Sequence, residues 1–598
     1  MSVLADPIQP SHGPLGATGV DLVDDGRASR DRRPGRRVAR AVGLLVLVLT
    51  TAGLAVLDYP IVFGRWESFV TYPMMQGPGP TLTLDITPGG FTFDFNKGRF
   101  ALIDLGYYTA EWLGWSLAAY RLPALVAGAV SVLGFFVIAS RAFGFWAGQV
   151  GALALALNPM FLLFWHQLIV STITLLFLVL VIERYQNLEL AGHDRRALLW
   201  AVPSLALAFV FLLIHHGPGR AYGGALMAYW AANVAWRAVQ DRHAGRPVAW
   251  EPLLAVPAFG LLVIVMALLL DARNARYLTA PIELLVVQQS EFVKSSSQFW
   301  SVLENVPVML TAVVRLLNLA PEWFGEYSSD VLVDFRYHLV PTSLLPLFLV
   351  GLIGLVARIR RSASARLVLF LLGLMFVGPL FSSGTSISEV RMIYTVIPLY
   401  LCVAAGAAWL LARRQPAMRY GAAGLLVVLV GAQAISAWAE MERHRAFVDD
   451  LVVRWSQGAN LRSFEAPGEG RERAPGDLYS NGSYRYYIEV GGVPALALAQ
   501  RIKSTVAGPR EPNEVVLISL DGAVQRGEST GSTQLVFFLR QVGLPAALYD
   551  STLQQIRGAG PGRPSCVIAD NSRAAAAARR LLEADGRTVV VREVRPSR

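Results

Sequence analysis

The chain is 598 residues long, with 54% hydrophobic and only 16% charged side chains, against roughly 25% charged in ordinary soluble domains, and its mean hydropathy is +0.45. A formal net charge of +10 fits either nucleic-acid binding or a membrane-topology signal. The basic residues sit in short loops between apolar runs, which selects the membrane and excludes a nucleic-acid partner, while two cysteines, Cys402 and Cys566, exclude a disulfide framework or a cysteine-rich metal cluster.

In chain order, residues 1–37 are rich in Gly, Pro, Asp and Arg without apolar periodicity and read as a disordered cytoplasmic tail. The run Val38–Leu57 is too long for a signal-peptide core and ends in Leu-Asp-Tyr-Pro without a small-residue cleavage pattern, so it reads as a retained first helix. A hydrocarbon core roughly 30 Å thick takes about 20 apolar residues per helix. Runs of this kind lie near 38–57, 122–139, 147–165, 168–182, 199–214, 221–237, 253–270, 341–357, 367–382, 392–411 and 421–438. The fold class expected is therefore a polytopic α-helical membrane protein of about eleven spans with a small C-terminal α/β domain.

Lys and Arg concentrate in cytoplasmic loops. With the N-terminus inside, the inner loops hold Arg27–Arg40, Arg141, Arg184 with Arg195 and Arg196, Arg237–Arg246, Arg358–Arg366 and Arg413–Arg419, so every dense basic cluster between helices falls on one side. That assignment predicts an inner or plasma membrane protein with a cytoplasmic N-terminus. It puts 58–121, 215–220, 271–340, 383–391 and everything after about 439 outside, with 38–438 as the transmembrane domain, 439–476 as a linker and 477–598 as the extracytoplasmic domain.

The first outer loop carries Glu67, Asp85, Asp94, Lys97, Arg99, Asp104 and Glu111 among many aromatics, and returns through Tyr120-Arg121-Leu122-Pro123. Carboxylates beside fixed cations at a membrane surface suit an enzyme that deprotonates an acceptor while holding a phosphate-linked donor; charges that merely solvate a loop are the plainer account of any single one. The string His215-His216-Gly-Pro-Gly-Arg220 is compact and polar. Two adjacent histidines without a nearby Cys or carboxylate make a poor metal shell, so no metal or other cofactor is predicted, and Arg220 is the more interesting residue because Arg grips phosphate oxygens bidentately. The outer segment 271–340 holds apolar stretches at Ile282–Val287 and Val306–Leu319 that suit the membrane surface. A further outer turn, Ser382–Arg391, ends in Glu389 and Arg391 at the start of the tenth span.

After the Gly/Pro-rich stretch Ala466–Pro475, short apolar runs predict strands at Glu514–Ser519, Ala546–Tyr549, Cys566–Ala569 and Thr588–Val594, with helices at Ser532–Val542 and Arg573–Ala584. Alternation of this kind predicts an α/β unit. Asp521 and Asp570 follow strand ends, where a ligand role is open, but Asp-Gly and Asp-Asn are ordinary turn chemistry.

This order of parts resembles the GT-C superfamily of membrane glycosyltransferases, in particular the bacterial branch related to protein O-mannosyltransferases and lipid A aminoarabinose transferases. The likeness is carried by FNKGRFALIDLGYYTAEWLGWSLAAYRLP at 95–123, by SRAFGFWAGQVGALALALNPMFLLFWHQLIVSTITLLFLVLVIE at 140–183 and by RMIYTVIPLYLCVAAGAAWLL at 391–411. It implies inverting transfer of a sugar from a polyprenyl-phosphate donor to a lipid, glycan or protein acceptor on the outer face. The family places a catalytic Asp, usually followed by Glu, some ten residues past the first helix; here PIVFGRWESF puts Trp66 and Glu67 at those positions, so the resemblance implies Glu67 as base, with Asp58 or Asp94 as substitutes. Lys97 matches the family's loop lysine and Arg391 its late arginine, which makes Lys97, Arg220 and Arg391 the expected phosphate contacts. The alternative is a GT-C-like scaffold that has lost catalysis, binds lipid and assembles with envelope enzymes. A transporter is least expected, because the spans show no paired halves with midplane charges.

Overall fold

The computed structural model describes residues 34–57, 85–87, 90–92, 101–168, 170–191, 194–214, 217–270, 339–380, 393–413 and 415–456, together with short pieces of 496–504, 537–541, 579–584 and the strands between 515 and 593. Thirteen helices are named here in chain order: α1 (Pro34–Ala55), α2 (Ala101–Leu113), α3 (Leu117–Phe143), α4 (Phe145–Ala156), α5 (Pro159–Trp165), α6 (Val170–Ala191), α7 (Arg195–Ile214), α8 (Gly217–His243), α9 (Trp250–Leu270), α10 (Leu345–Arg358), α11 (Ala363–Leu380), α12 (Val396–Leu411) and α13 (Pro416–Ser456). Single-turn 3-10 helices at Thr342–Leu344 and Ile393–Thr395 lead into α10 and α12.

Ten of the eleven apolar runs each fall on one helix and the run 147–165 falls on two, α4 and α5, but not every one meets the length and composition of a span. Six do: Arg37–Ala55, Leu117–Phe143, Arg195–Leu213, Trp250–Leu269, Ile393–Leu411 and Pro416–Glu442. Two bent pairs raise the figure to eight, namely α4 with α5, bent by 68°, and Thr342–Arg358 with Ala363–Leu374, bent by 120°. Charge separates expectation from structure here: α6 ends in Glu183, Arg184 and Glu189, and α8 carries Arg220, Arg237, Asp241 and Arg242, so their apolar stretches are shorter than the helices. The outward faces of α1, α7, α9 and α13 expose Leu45, Leu49, Leu199, Leu261, Leu269, Val427 and Ile435. Apolar surface of this extent is stable only in lipid, where helices also satisfy every backbone group internally; the chain is a multi-pass membrane protein.

Local chemistry sets the breaks. Ser116 caps α3 by accepting from the Ala119 N–H, and Gly144, at φ +92°, lets α3 turn straight into α4. Asn158 caps α5, with Pro159 at its first position, and this is the 68° bend. Asn158 is fully used: its Oδ1 accepts from Phe161 N–H at 2.8 Å, and its amide donates to the Leu339 carbonyl at 3.2 Å and the Tyr400 hydroxyl at 2.8 Å. Nearby, Gln433 on α13 donates to the Leu157 carbonyl at 2.9 Å and accepts from Ser343 at 3.1 Å. The helices α10 and α12 approach closely: a Cβ on Gly406 would lie 2.1 Å from the Leu347 carbonyl oxygen, the small-residue packing membranes favour.

The basic turns gather on one face. Arg40 lies over the Phe145 ring, Arg141 pairs with Glu183 at 2.8 Å, Arg195 with Glu251 at 3.2 Å, and Arg237 with Glu189 at 2.9 Å. Exposed Trp146, Trp200, Trp236, Trp250 and Trp409 stand beside these turns, with Arg413 3.6 Å from the Trp409 ring centre, as in an interfacial aromatic belt. On α13, exposed Tyr420 and Trp438 are eighteen residues apart, about 27 Å along the axis, close to the hydrocarbon thickness. The 41-residue α13 continues past Trp438 to Ser456, so the first eighteen residues of the expected linker, 439–456, are helical instead.

Beyond the helices, β3 (Val515–Leu520), β4 (Ala546–Leu548), β5 (Ser565–Ala569) and β6 (Val589–Glu593) form a parallel sheet in the order β4-β3-β5-β6, within a residue or two of the predicted strands. Between α1 and α2, β1 (Asp85–Thr87) and β2 (Gly90–Thr92) pair as an antiparallel ribbon that lies against α9.

Candidate functional site

The end of the helix bundle opposite the basic turns is formed by the last turn of α1, by α2 and the start of α3, the α5–α6 break, the start of α8 and the 3-10 turn at 393–395. Of the expected site residues, Glu67, Asp94, Lys97 and Arg391 lie outside the described residues, as do Asp58, His215, His216, Asp521 and Asp570. Arg220 is the fourth residue of α8, where the backbone is described and the side chain is not.

The described neighbours of these positions do converge. Tyr222, two residues after Arg220, and Tyr394, three after Arg391, are both buried, and their ring centres are 6.2 Å apart. Tyr400, nearly two turns further along, reaches Asn158 at the α4–α5 bend. Two segments about 170 residues apart in sequence thus meet at one point of the bundle. The ribbon that ends two residues before Asp94 rests on α9, which packs against α8.

Around the start of α3 lies a second cluster that the sequence reading passed over. Tyr107 of α2 packs edge-on against Trp115, with centres 5.4 Å apart. Phe537, from the C-terminal region, inserts between Trp115 at 5.6 Å and Tyr120 at 5.5 Å, and Arg540 stacks over Trp115 at 4.6 Å. Phe537 and Phe538 are both 0% exposed. The C-terminal region is therefore seated on the α2–α3 corner, and Leu496 packs on the helical core as well. In sequence, the only trace of this is the pair Phe537-Phe538 in an otherwise amphipathic stretch. Gly106 makes the corner compact, since a Cβ there would fall 2.6 Å from the Tyr120 carbonyl oxygen.

Beneath this corner, Arg121 is 2% exposed, the only buried Lys or Arg among the described residues. The Trp165 indole packs against Gly128 and donates to the Leu125 carbonyl at 2.7 Å, and Thr172 donates to the Phe164 carbonyl at 2.7 Å. No group of three or more His, Cys, Asp or Glu placed to hold a metal occurs among the described residues.

No protein-family model matches this chain, and no curated protein does. Among solved structures it is similar to ArnT from Cupriavidus metallidurans in the apo state, at 14% identity and a TM-score of 0.44, over 86% of this chain and 85% of that one. It is similar at 10% identity, also with a TM-score of 0.44, to the apo oligosaccharyltransferase of Archaeoglobus fulgidus, over 84% of this chain and 64% of that one. The Cupriavidus ArnT bound to undecaprenyl phosphate is similar at 13% identity and a TM-score of 0.38, over 93% of this chain and 90% of that one. Likeness at this level leaves the fold to stand on this chain's own helices and contacts.

Proposed function

We propose that this chain is a GT-C-type glycosyltransferase that moves a sugar from a polyprenyl-phosphate donor to an envelope acceptor at the outer face of the membrane. The observation that carries this reading is the Tyr222–Tyr394 contact, which supports Arg220 and Arg391 as a pair of guanidiniums around one phosphate. On this reading all eleven apolar runs are spans, the basic turns face the cytoplasm, and the C-terminal sheet belongs to an extracytoplasmic α/β domain.

Glu67 serves as general base, with Asp94 the second candidate. The carboxylate takes the proton of an acceptor hydroxyl as its oxygen attacks the anomeric carbon; the bond from that carbon to the phosphate oxygen breaks, and the phosphate leaves with the electron pair. Lys97, Arg220 and Arg391 neutralise the charge that develops on the leaving phosphate. No resident metal is required, because the cations come from side chains.

A second reading has one observation in its favour: Trp66 stands where the resembled family has its Asp, which fits a lipid-binding scaffold that no longer transfers. Purified protein incubated with radiolabelled polyprenyl-phosphate sugars and envelope extract separates the two. Transfer that falls at least a hundredfold in Glu67→Gln with normal expression supports catalysis by Glu67. Transfer unchanged in Glu67→Gln and lost in Asp94→Asn moves the base to Asp94, and lipid retention without transfer for every donor selects the scaffold.

A further inference from the structure

The basic turns differ in how their charge is met. Arg141 pairs with Glu183, Arg195 with Glu251 and Arg237 with Glu189, so these turns carry their own anions. The turns after α10 and α12 do not: residues 339–380, 393–413 and 415–439 contain no Asp or Glu. Arg358, Arg360, Arg361 and Arg413 are exposed, and they make no ion pair among the described residues.

The fold brings these two turns together. Asn158 donates to the Leu339 carbonyl just before α10 and to the Tyr400 hydroxyl in the second turn of α12, so both helices set out from one level. They run side by side through the close approach of Gly351 and Gly406. Arg358 and Arg413 each stand seven residues past those glycines, roughly 10 Å along the axis, and so emerge next to one another.

Neither turn is slack. Arg366 donates to the carbonyls of Ile359 and Arg360 at 3.3 and 3.4 Å, and Ser362 caps α11 by accepting from the Ala365 N–H at 3.2 Å. The guanidinium of Arg413 lies over the Trp409 ring, 3.6 Å from its centre, which holds it in place while its N–H edge stays open to an oxygen acceptor. Leu349, Ile353 and Val356, all exposed, follow helical spacing along one side of α10 and lead to Arg360 four residues later. Cations fixed at the end of an apolar track match a molecule with a phosphate at one end and a hydrocarbon chain at the other.

We infer that the turns after α10 and α12 form one site for an anionic phospholipid, its phosphate held by Arg358, Arg360, Arg361 and Arg413 and an acyl chain laid along the exposed side of α10. The apolar track selects a lipid over a soluble anion, which would use the arginines alone. The site lies on the face opposite the candidate functional site and does not depend on the proposed reaction.

The test mixes full-length protein in detergent with phosphatidylglycerol and phosphatidylcholine of identical acyl chains and counts the lipid retained by native mass spectrometry. The ratio of the two lipids on one sample is indifferent to any loss of folded protein. Wild type is expected to favour phosphatidylglycerol at least tenfold, the triple variant Arg358→Gln/Arg360→Gln/Arg361→Gln to fall within twofold of no preference, and Arg413→Gln to lose at least threefold. Arg195→Gln removes the same single charge from a turn that has its own carboxylate, and is expected to keep the wild-type ratio. Equal losses in Arg195→Gln and Arg413→Gln would show that retention follows the net charge of the face and overturn the site, as would a wild type without preference. Inorganic phosphate in large excess, against chloride at equal ionic strength, separates headgroup from free ion: retained phosphatidylglycerol is expected to stay, and its displacement by phosphate overturns the lipid as occupant.

Discussion

Replacing Phe537 by Ala tests whether the C-terminal region is truly seated on the membrane domain. The side chain is fully buried, between Trp115 and Tyr120 on one side and Phe538 on the other. Returning a buried Phe to water loses about 1.5–3 kcal/mol of transfer energy, and the two edge-on pairs with Trp115 and Tyr120 contribute roughly 0.5–1.5 kcal/mol each. These terms overlap, because one ring makes all the contacts. A net loss near 3 kcal/mol is therefore expected, about a hundredfold in the local docking equilibrium at roughly 1.4 kcal/mol per decade. Hydrogen exchange of peptides spanning 535–545, measured on protein in nanodiscs, is the assay: exchange should quicken about a hundredfold, while exchange in α3 and α4 stays as in the wild type. Phe537→Leu, which keeps most of the apolar area, should give back more than half of the effect. Unaltered exchange at 535–545 in the Ala variant would refute the docking and, with it, the cohesion of the α2–α3 corner.

Two further substitutions probe the bundle itself. Asn158→Ala removes a cap and leaves the Leu339 carbonyl and the Tyr400 hydroxyl without their shared amide; the expected cost is about 2–4 kcal/mol, read as a drop of several degrees in unfolding temperature by differential scanning fluorimetry in detergent, and Asn158→Asp, which keeps the cap but sets a carboxylate oxygen against the Leu339 carbonyl in a fully buried place, is expected to cost at least as much. Gly406→Val drives a side chain into the Leu347 carbonyl and should split α10 from α12, which a cysteine pair across that interface would register as lost cross-linking; retained cross-linking would show that the helices slide to make room.

Much of the fold is legible in the sequence because the signals are local and repetitive. Twenty-residue apolar runs locate helices wherever a membrane is the solvent, and the basic turns declare their side without reference to any contact. The strands at 515–520 and 565–569 are equally plain, since runs such as Val-Val-Leu-Ile have few other uses between turns. What stays hidden is long-range. Nothing near Tyr222 announces Tyr394, and nothing near Trp115 announces Phe537, because such pairings depend on which helices neighbour each other. Helix ends are concealed for a different reason: Glu440 to Arg454 is charged enough to pass for a linker, yet α13 runs straight through it. Of the candidate site, the sequence supplies the residue types, and the structure supplies the contact between Tyr222 and Tyr394.

The length of α13 has a consequence for everything that follows it. The eighteen residues that α13 adds past Trp438 make a further rod about 27 Å long, yet Leu496 and Phe537 are pressed back against the helices. The C-terminal region is thus joined to the bundle twice, by a long helix and by a separate attachment at the α2–α3 corner. Lengthening that helix by one turn, about 5.4 Å, would strain or free the second attachment, so the two joints set each other's spacing.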